Sequence, residues 1–397
     1  MSGERERLVV RPAMTLRTLV PEVVLFPFMV NSAETSGLSC VKACGKCPGL
    51  TFASVWSFLC EPVAVAVPWR IKFHGSRRGT ASRQRSYPCH AAFSPMQNEE
   101  IRRDVLSGLR DSPKQIPSKW LYAGRGAELF AQAVQQPEYY IAKAERRLLR
   151  RYASFLAKLS NASTFVDLGC SAINSGDAFL EAFDRLRWYV AVDSNAGELK
   201  RSLSTVNTMK RTGLEADLLT PIVLDGPRPY LVALLGQTYG NFDRSQGHVL
   251  LTNIASLTNI GELLLLGIDC TTDRGSIERA YNDEAGATER FAREILTTIN
   301  RELSGTIDPA GFEYRARLAR SRLTVGLLAS RSQDFVVSGE VFSVRRDEEI
   351  LLALSRRGSV VEFVSELEEA GFTLCNSLDD HQSGYKILIA SRGRLGF

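Results

Sequence analysis

The stretch that most restricts what this chain can become runs from Thr164 to Leu199, TFVDLGCSAINSGDAFLEAFDRLRWYVAVDSNAGEL. A short apolar run, Thr164 to Leu168, stops at Gly169 and the small residues Cys170, Ser171 and Ala172. Apolar residues then recur at helical spacing (Phe179, Leu180, Phe183, Leu186), which predicts a helix from about Ser175. A second apolar run, Trp188 to Val192, ends on Asp193, twenty-four residues past the glycine, and another helical pattern follows. Strand, tight turn, helix and strand make a βαβ unit with an acid at its tip.

A tip of this kind suits a nucleoside. Glycine and small side chains after the first strand let a ligand lie against backbone amides, and a carboxylate at the end of the second can accept both ribose hydroxyl protons. The dinucleotide fingerprint G-x-G-x-x-G is absent: Gly169 is followed by Ser171 and by no third glycine at the required place, so a pyrophosphate lacks its cradle. A ligand with a ribose and no phosphate fits better, which points to S-adenosylmethionine (SAM). A dinucleotide and a purely structural βαβ unit are the alternatives.

At 397 residues, 44% hydrophobic and 23% charged, the chain can bury one large core or two ordinary ones. Its net charge of +5 is not gathered into a basic stripe with interleaved aromatics over residues 96–397, so no nucleic-acid partner is expected. No uninterrupted apolar run approaches the ~20 residues that span a bilayer. A monomeric, cytoplasmic protein without a membrane partner is therefore expected.

Residues 1–95 read differently from the rest, with basic clusters, short apolar pieces and prolines but no sustained period, and are expected to be a poorly ordered or artefactual extension. Met96 opens a fresh helical pattern and is the favoured working start. Within the extension, Cys40, Cys44 and Cys47 have the spacing that holds an iron–sulfur cluster in radical SAM enzymes. The barrel pattern that should follow is missing, so no metal site is expected. Cys170, Cys270 and Cys375 read as reduced core thiols.

Beyond Met96, residues 96–160 are helical, with a loop through SPKQIPSKWLY and a long helix whose first turn holds Pro137. Residues 161–272 alternate strand and helix, with strands ending at Asp193 and Asp217 and at 230–236 and 262–269, which predicts a doubly wound, mostly parallel α/β sheet. Residues 273–358 open with one helix over 277–303 and continue with β-like segments, RLTVGLLAS and FVVSGEVFSV, as an additional α+β substrate-binding part. A helix at 359–370 and a closing strand, YKILIAS, complete the sheet.

Taken in order, SPKQIPSKWLY, GAELF, PEYY followed by AE, VDLGCS, AVDS, EADL, LLGQTYGNF, LLLGID, AYNDEAG, INREL, FEY and EEILLALS followed by ELEEAGF resemble the histidine-specific N-alpha-methyltransferase family. The resemblance covers about residues 101–395. It implies a class I SAM-dependent methyltransferase fold with SAM as cofactor. Gly169, Asp193, Asp217 and Leu218 would line the SAM site, with Asp193 on the ribose and Asp217 near the adenine. The family commonly carries Gly-Ser-Gly after the first strand and a lysine six residues past the first glycine. This chain has Gly169-Cys170-Ser171 and Ser175 at those places.

The same resemblance implies that Tyr122, Tyr139, Gly236, Asn241 and Tyr281 hold an amino acid's α-amino and carboxylate groups, with Tyr139 and Asn241 closest to the chemistry. Methyl transfer needs a neutral amine in line with the sulfonium methyl, and tyrosine hydroxyls and an amide orient it without adding a repelling charge. Buried tyrosines are also common as core residues with a satisfied hydroxyl, and Tyr139 stands open to that reading. Asn241 sits in a Gly-Asn turn at the C-terminal end of a strand, where such sheets bind ligands.

The most informative departure is in EEILLALSRRG. The family's glutamate that grips the imidazole falls on Ala353, while the serine two residues on is kept as Ser355. A carboxylate–imidazole hydrogen bond is worth roughly 1.5–3 kcal/mol, and alanine supplies none of it. The expected reaction is N-methylation of an amino-acid-derived amine or short peptide with a larger or less polar side chain than histidine, in specialised metabolism. Relatives within this family methylate tryptophan-derived amines. Histidine methylation with the imidazole held by other groups and a decayed SAM-binding protein are the alternatives. Methylation of a base amine fits poorly, because such enzymes carry a D/N-P-P-Y/F turn where this chain has GQTYGNF. His248 and His381 fall in no matching motif and are assigned no role.

Overall fold

The computed structural model describes residues 95–170 and 177–393. The cysteine triplet, the whole of the N-terminal extension before Pro95, Ser171 and Ser175 lie outside the described residues. In chain order the strands are β1 (Thr164–Leu168), β2 (Trp188–Asp193), β3 (Lys210–Glu215), β4 (Tyr230–Leu234), β5 (Leu263–Asp269), β6 (Phe312–Ala319), β7 (Arg322–Ala329), β8 (Gln333–Val337), β9 (Glu340–Val344), β10 (Glu349–Arg356), β11 (Phe372–Asp379) and β12 (Tyr385–Arg392).

Seven of these form one sheet in the order β11-β12-β5-β4-β1-β2-β3. Strands β3, β2, β1, β4 and β5 run parallel, and β12 enters antiparallel beside β5. The burial explains the sequence. Strands β1, β4 and β5 are buried along their whole length, which is why they read as unbroken apolar runs, whereas the edge strand β3 is exposed at alternate positions. This is the doubly wound, mostly parallel α/β sheet that the sequence predicts.

Helices cover both faces. One core packs α3 (Tyr140–Ser160) and the short α4 (Asp177–Leu180) under β1, β4, β5 and β12. The opposite core holds α6 (Arg244–Leu257) and α9 (Val360–Glu369). Both of the latter start at capping boxes, Asp243 with Gln246 and Ser359 with Glu362, which satisfy the orphan amides of the first turn. Helix α5 (Ala196–Thr205) packs over β2 and β3.

A third core gathers α1 (Pro95–Arg110), α2 (Gly126–Ala133) and α8 (Ala287–Glu302) against a three-stranded antiparallel sheet, β10-β7-β6, and the β8–β9 hairpin. The segment Lys114–Ile116 pairs with Leu351, which ties the N-terminal helices to β10.

Several element boundaries differ from expectation. The crossover helix ends at Leu180, and Phe183 and Leu186 are reached through turns, with Ala182 N–H donating to Phe179 and Leu186 N–H to Phe183; both side chains are buried nonetheless. The expected helix over 277–303 is two helices, α7 (Arg274–Tyr281) and α8. Asp283 accepts the amides of Ala287 and Thr288 at 2.6 and 2.8 Å and so starts α8 afresh. Pro137 lies in the turn before α3. The strand expected to reach Asp217 stops at Glu215, since the Asp217 carboxylate accepts the Leu219 amide at 2.9 Å and closes a turn. Strands β6 and β10 carry charged residues and were not legible as strands.

Candidate active site

Three parallel strands end side by side, and each end turns in a way its residues require. After β1, Gly169 takes a left-handed backbone (φ 65°) and donates its amide to Val192 at 2.8 Å. A Cβ there would lie 3.0 Å from the Thr238 methyl, so small size and backbone freedom are both needed. At the end of β2, Asp193 accepts the Asn195 amide at 2.8 Å and forms no ion pair among the described residues. Burial pushes its carboxyl up to about 6 against the pull of these amides. The Asn195 side chain reaches back to the Tyr122 carbonyl at 2.9 Å, fixing the single 3-10 turn Ser118–Tyr122 over the same edge.

After β4, Gly236 and Gln237 are both left-handed (φ 68° and 64°) and lead into a second 3-10 turn, Thr238–Asn241. The Gln237 amide nitrogen donates to the Arg356 carbonyl at 2.6 Å, so the turn is held against the end of β10.

These elements enclose a cavity of about 720 Å³. Among the residues singled out in the sequence, Tyr122, Gly169, Asp193, Asp217, Leu218, Asn241 and Ala353 line it. Asp217 lies 3.8 Å from the Lys119 ammonium. A second cavity of about 460 Å³ is lined by Tyr139 and Gly236, with Phe130, Glu145 and Arg201. An aromatic cluster connects the two sets: the Phe130 ring lies 5.0 Å from Tyr122 and 6.5 Å from Tyr139, which in turn is 6.4 Å from Tyr281. Tyr281 and Ser355 line neither cavity and bond to each other, the phenol donating to the serine oxygen at 3.0 Å. The singled-out residues are thus spread over two cavities and one hydrogen-bonded pair. Burial pushes the phenols of Tyr122 and Tyr139 far above their ordinary range, so both stay protonated.

The pairing of β10 shows what surrounds Ala353. It stands opposite Val325 on β7, and Val325 stands opposite Ala316 on β6, giving a row of three short apolar side chains across the sheet. A bulge at Leu352 sets this register. Tyr122, Phe130, Tyr281 and Tyr314 pack on the same core, and Tyr314 donates to the Tyr281 carbonyl at 2.6 Å.

Four buried charged residues escaped the sequence reading. Asp167, two residues before Gly169, is fully buried; one carboxylate oxygen accepts from Tyr189 at 2.7 Å and the other has no partner, and burial pushes its pKa up to about 7. Glu145, in the motif PEYY followed by AE, accepts the Gly236 amide at 2.6 Å and the Tyr385 hydroxyl. Asp269, at the end of β5, accepts from Arg357 at 2.9 Å and from the Tyr140 hydroxyl at 2.5 Å. The Arg357 guanidinium also lies 5.4 Å from the Tyr281 ring centre. Asp167 sits in an apolar strand and Glu145 inside a quoted motif; a charged residue in such a run was the available signal. No helix among the described residues is long and apolar enough to cross a membrane.

Comparison with known proteins shows the family. The family model described as histidine-specific methyltransferase, SAM-dependent, matches residues 101–392. A histidine N-alpha-methyltransferase of Mycolicibacterium smegmatis is 32% identical over 307 residues, covering 74% of this chain and 95% of that protein. A 4-dimethylallyltryptophan N-methyltransferase of Claviceps fusiformis is 28% identical over 229 residues, covering 52% of this chain and 63% of that one. An L-tryptophan methyltransferase of Psilocybe serbica is 24% identical over 334 residues, covering 72% and 92%.

Proposed function

The chain belongs to the histidine-specific, SAM-dependent methyltransferase family, and from that premise we propose that it N-methylates the α-amino group of an amino acid with an aromatic, largely apolar side chain, of the tryptophan-derived kind. The observation that carries this reading is Ala353: where a histidine side chain asks for a carboxylate, the wall of the large cavity offers a methyl group, with Val325 and Ala316 continuing the row across the sheet. An indole or prenylated indole fills such a wall and leaves no buried acceptor unpaired.

The residues present fit SAM. Asp193 lines the large cavity without an ion pair and would take both ribose hydroxyls, and Asp167, two residues before Gly169, keeps one buried carboxylate oxygen without a partner. Asp217 and Leu218 flank the adenine. Bound there, SAM supplies a methyl group activated on a sulfonium. On the acceptor side Tyr122 and Tyr139 stay neutral and orient the amine and carboxylate with Tyr281 and Asn241, and the buried aromatic cluster excludes water. The Gly236 amide is already engaged by Glu145, so in this conformation Gly236 offers the substrate its Cα and carbonyl.

A second reading, methylation of histidine itself, is favoured by the mycobacterial relative and by the retained Ser355. Incubating the protein with labelled SAM and a panel of histidine, tryptophan, prenyl-tryptophan and short peptides decides between them. Higher kcat/KM on the indoles is expected; preference for histidine at low concentration sinks the first reading, and no transfer to any amine while SAM binds sinks both.

A further inference from the structure

An α-ammonium has no lone pair, so a proton must leave it before the nitrogen can accept a methyl group. The amino-acid clamp provides no base for this. Burial keeps the Tyr122 and Tyr139 phenols protonated, Asn241 has no proton affinity, and Asp269 is engaged by Arg357 and Tyr140. Asp167 lies on the cofactor side, directly before the Gly169 turn.

Glu145 is placed differently. It sits on α3, is 2% exposed, and lines the same cavity as Tyr139 and Gly236. Its carboxylate accepts the Gly236 amide and the Tyr385 hydroxyl and has no ion pair among the described residues. Leaving a carboxylate buried without an ion pair is costly; Lys143 and Arg201, which line the same cavity, bond to the Pro137 carbonyl and to Glu198, and a substrate ammonium there would supply the partner. We propose that Glu145 is the proton acceptor for the substrate's α-ammonium; the inference rests on the N-methyltransferase reading of the site.

In the step, an N–H bond of the ammonium breaks and its proton forms an O–H bond on Glu145. The freed pair on nitrogen forms the N–CH3 bond as the carbon–sulfur bond breaks and leaves its pair on sulfur. Glu145 then returns the proton to solvent. Burial pushes its pKa up to about 7, while the bonds from Tyr385 and Gly236 and the charge of Arg146 pull it down. The other groups that face it are Tyr139 at the N-cap of its helix, Tyr385 on β12 and Asp167 on β1, with which it shares a mutual repulsion, and the side chains of Lys143 and Arg201 line the same cavity.

The test measures kcat against pH with saturating SAM and L-tryptophan or L-histidine as acceptor, for the protein, Glu145→Gln and Tyr385→Phe. In the unaltered protein kcat should rise through about pH 7. Glu145→Gln keeps an oxygen for the Gly236 amide, yet should lose about 100-fold in kcat, with acceptor KM changed less than about threefold and the acid limb gone. Tyr385→Phe keeps the carboxylate but removes a donor, so its acid limb should move to higher pH. Full kcat in Glu145→Gln, or an unmoved limb in both variants, overturns the proposal. A readout that needs no turnover is the infrared carbonyl stretch of a protonated carboxylic acid, read beside Asp167→Asn, since Asp167 titrates in the same range. A band titrating near pH 7 and missing from Glu145→Gln supports the assignment, and its absence from the unaltered protein overturns it. If neither amino acid is methylated, the substrate reading fails while the infrared titration still decides Glu145.

Discussion

The two sides of the site are made by different rules. On the cofactor side, parallel strands end together, and the groups that face the cavity are fixed by where the backbone must turn: Gly169 by its left-handed conformation, Asp193 by the last position of β2. On the acceptor side an antiparallel sheet presents rows of side chains, and a row can be rewritten without moving a strand, as Ala353, Val325 and Ala316 illustrate. The comparison teaches that substitutions on the first side should affect SAM binding, and on the second the choice of acceptor.

The largest effect is expected where the sides are joined. Asp269 ends β5 of the large sheet and Arg357 follows β10 of the small one; their ion pair, 2.9 Å long with both side chains buried, spans 88 residues of sequence. Arg357→Ala strands a buried carboxylate and should cost about 3–5 kcal/mol of stability, read by chemical denaturation. A loss below about 1 kcal/mol would mean the sides are held together by something else.

Next comes the cofactor side alone. Asp193→Ala removes a charged acceptor for the ribose and should weaken SAM binding by about 1.5–3 kcal/mol, roughly 10- to 100-fold in Kd by calorimetry, with acceptor KM almost unchanged. On the acceptor side, Ala353→Glu should raise kcat/KM for histidine about tenfold and lower it for tryptophan, because a carboxylate in an apolar row serves an imidazole and repels an indole. SAM affinity should stay as it was. A change in SAM affinity instead would erase the division of labour between the two sides.

How much of this was legible in the sequence follows from how local each signal is. Gly169 and Asp193 could be read because both end short apolar runs within one βαβ unit. Ala353 could be read because it interrupts a motif at a counted position. Val325 and Ala316 could not, since only strand pairing brings them beside Ala353. Glu145, Asp167 and the Asp269–Arg357 pair were missed for the same reason: a charged residue in an apolar run shows its purpose only when partners from distant strands are known. That α4 ends at Leu180 was hidden because Phe183 and Leu186 are buried whether a helix or a turn delivers them.

The smallest expected effect concerns pH. The cofactor side buries Asp167, with burial raising its carboxyl from 3.8 to about 7, and Asp193, raised to about 6; on the acceptor side Glu145, raised from 4.5 to about 7, adds to the same slope, while the row around Ala353 contains no titrating group. A carboxyl whose pKa is raised on folding holds its proton more tightly in the folded state. Its contribution to stability is full below the unfolded value near 4 and is lost as pH rises through the folded value near 7. The ligand-free protein should therefore melt at a lower temperature at about pH 8 than at about pH 6, by roughly 2–4 °C for each kcal/mol lost. Asp167→Asn, which cannot titrate, should flatten this slope, whereas Ala353→Val should leave it unchanged. A slope that survives Asp167→Asn in full would place the buried proton elsewhere and leave Asp167 ionised in the folded protein.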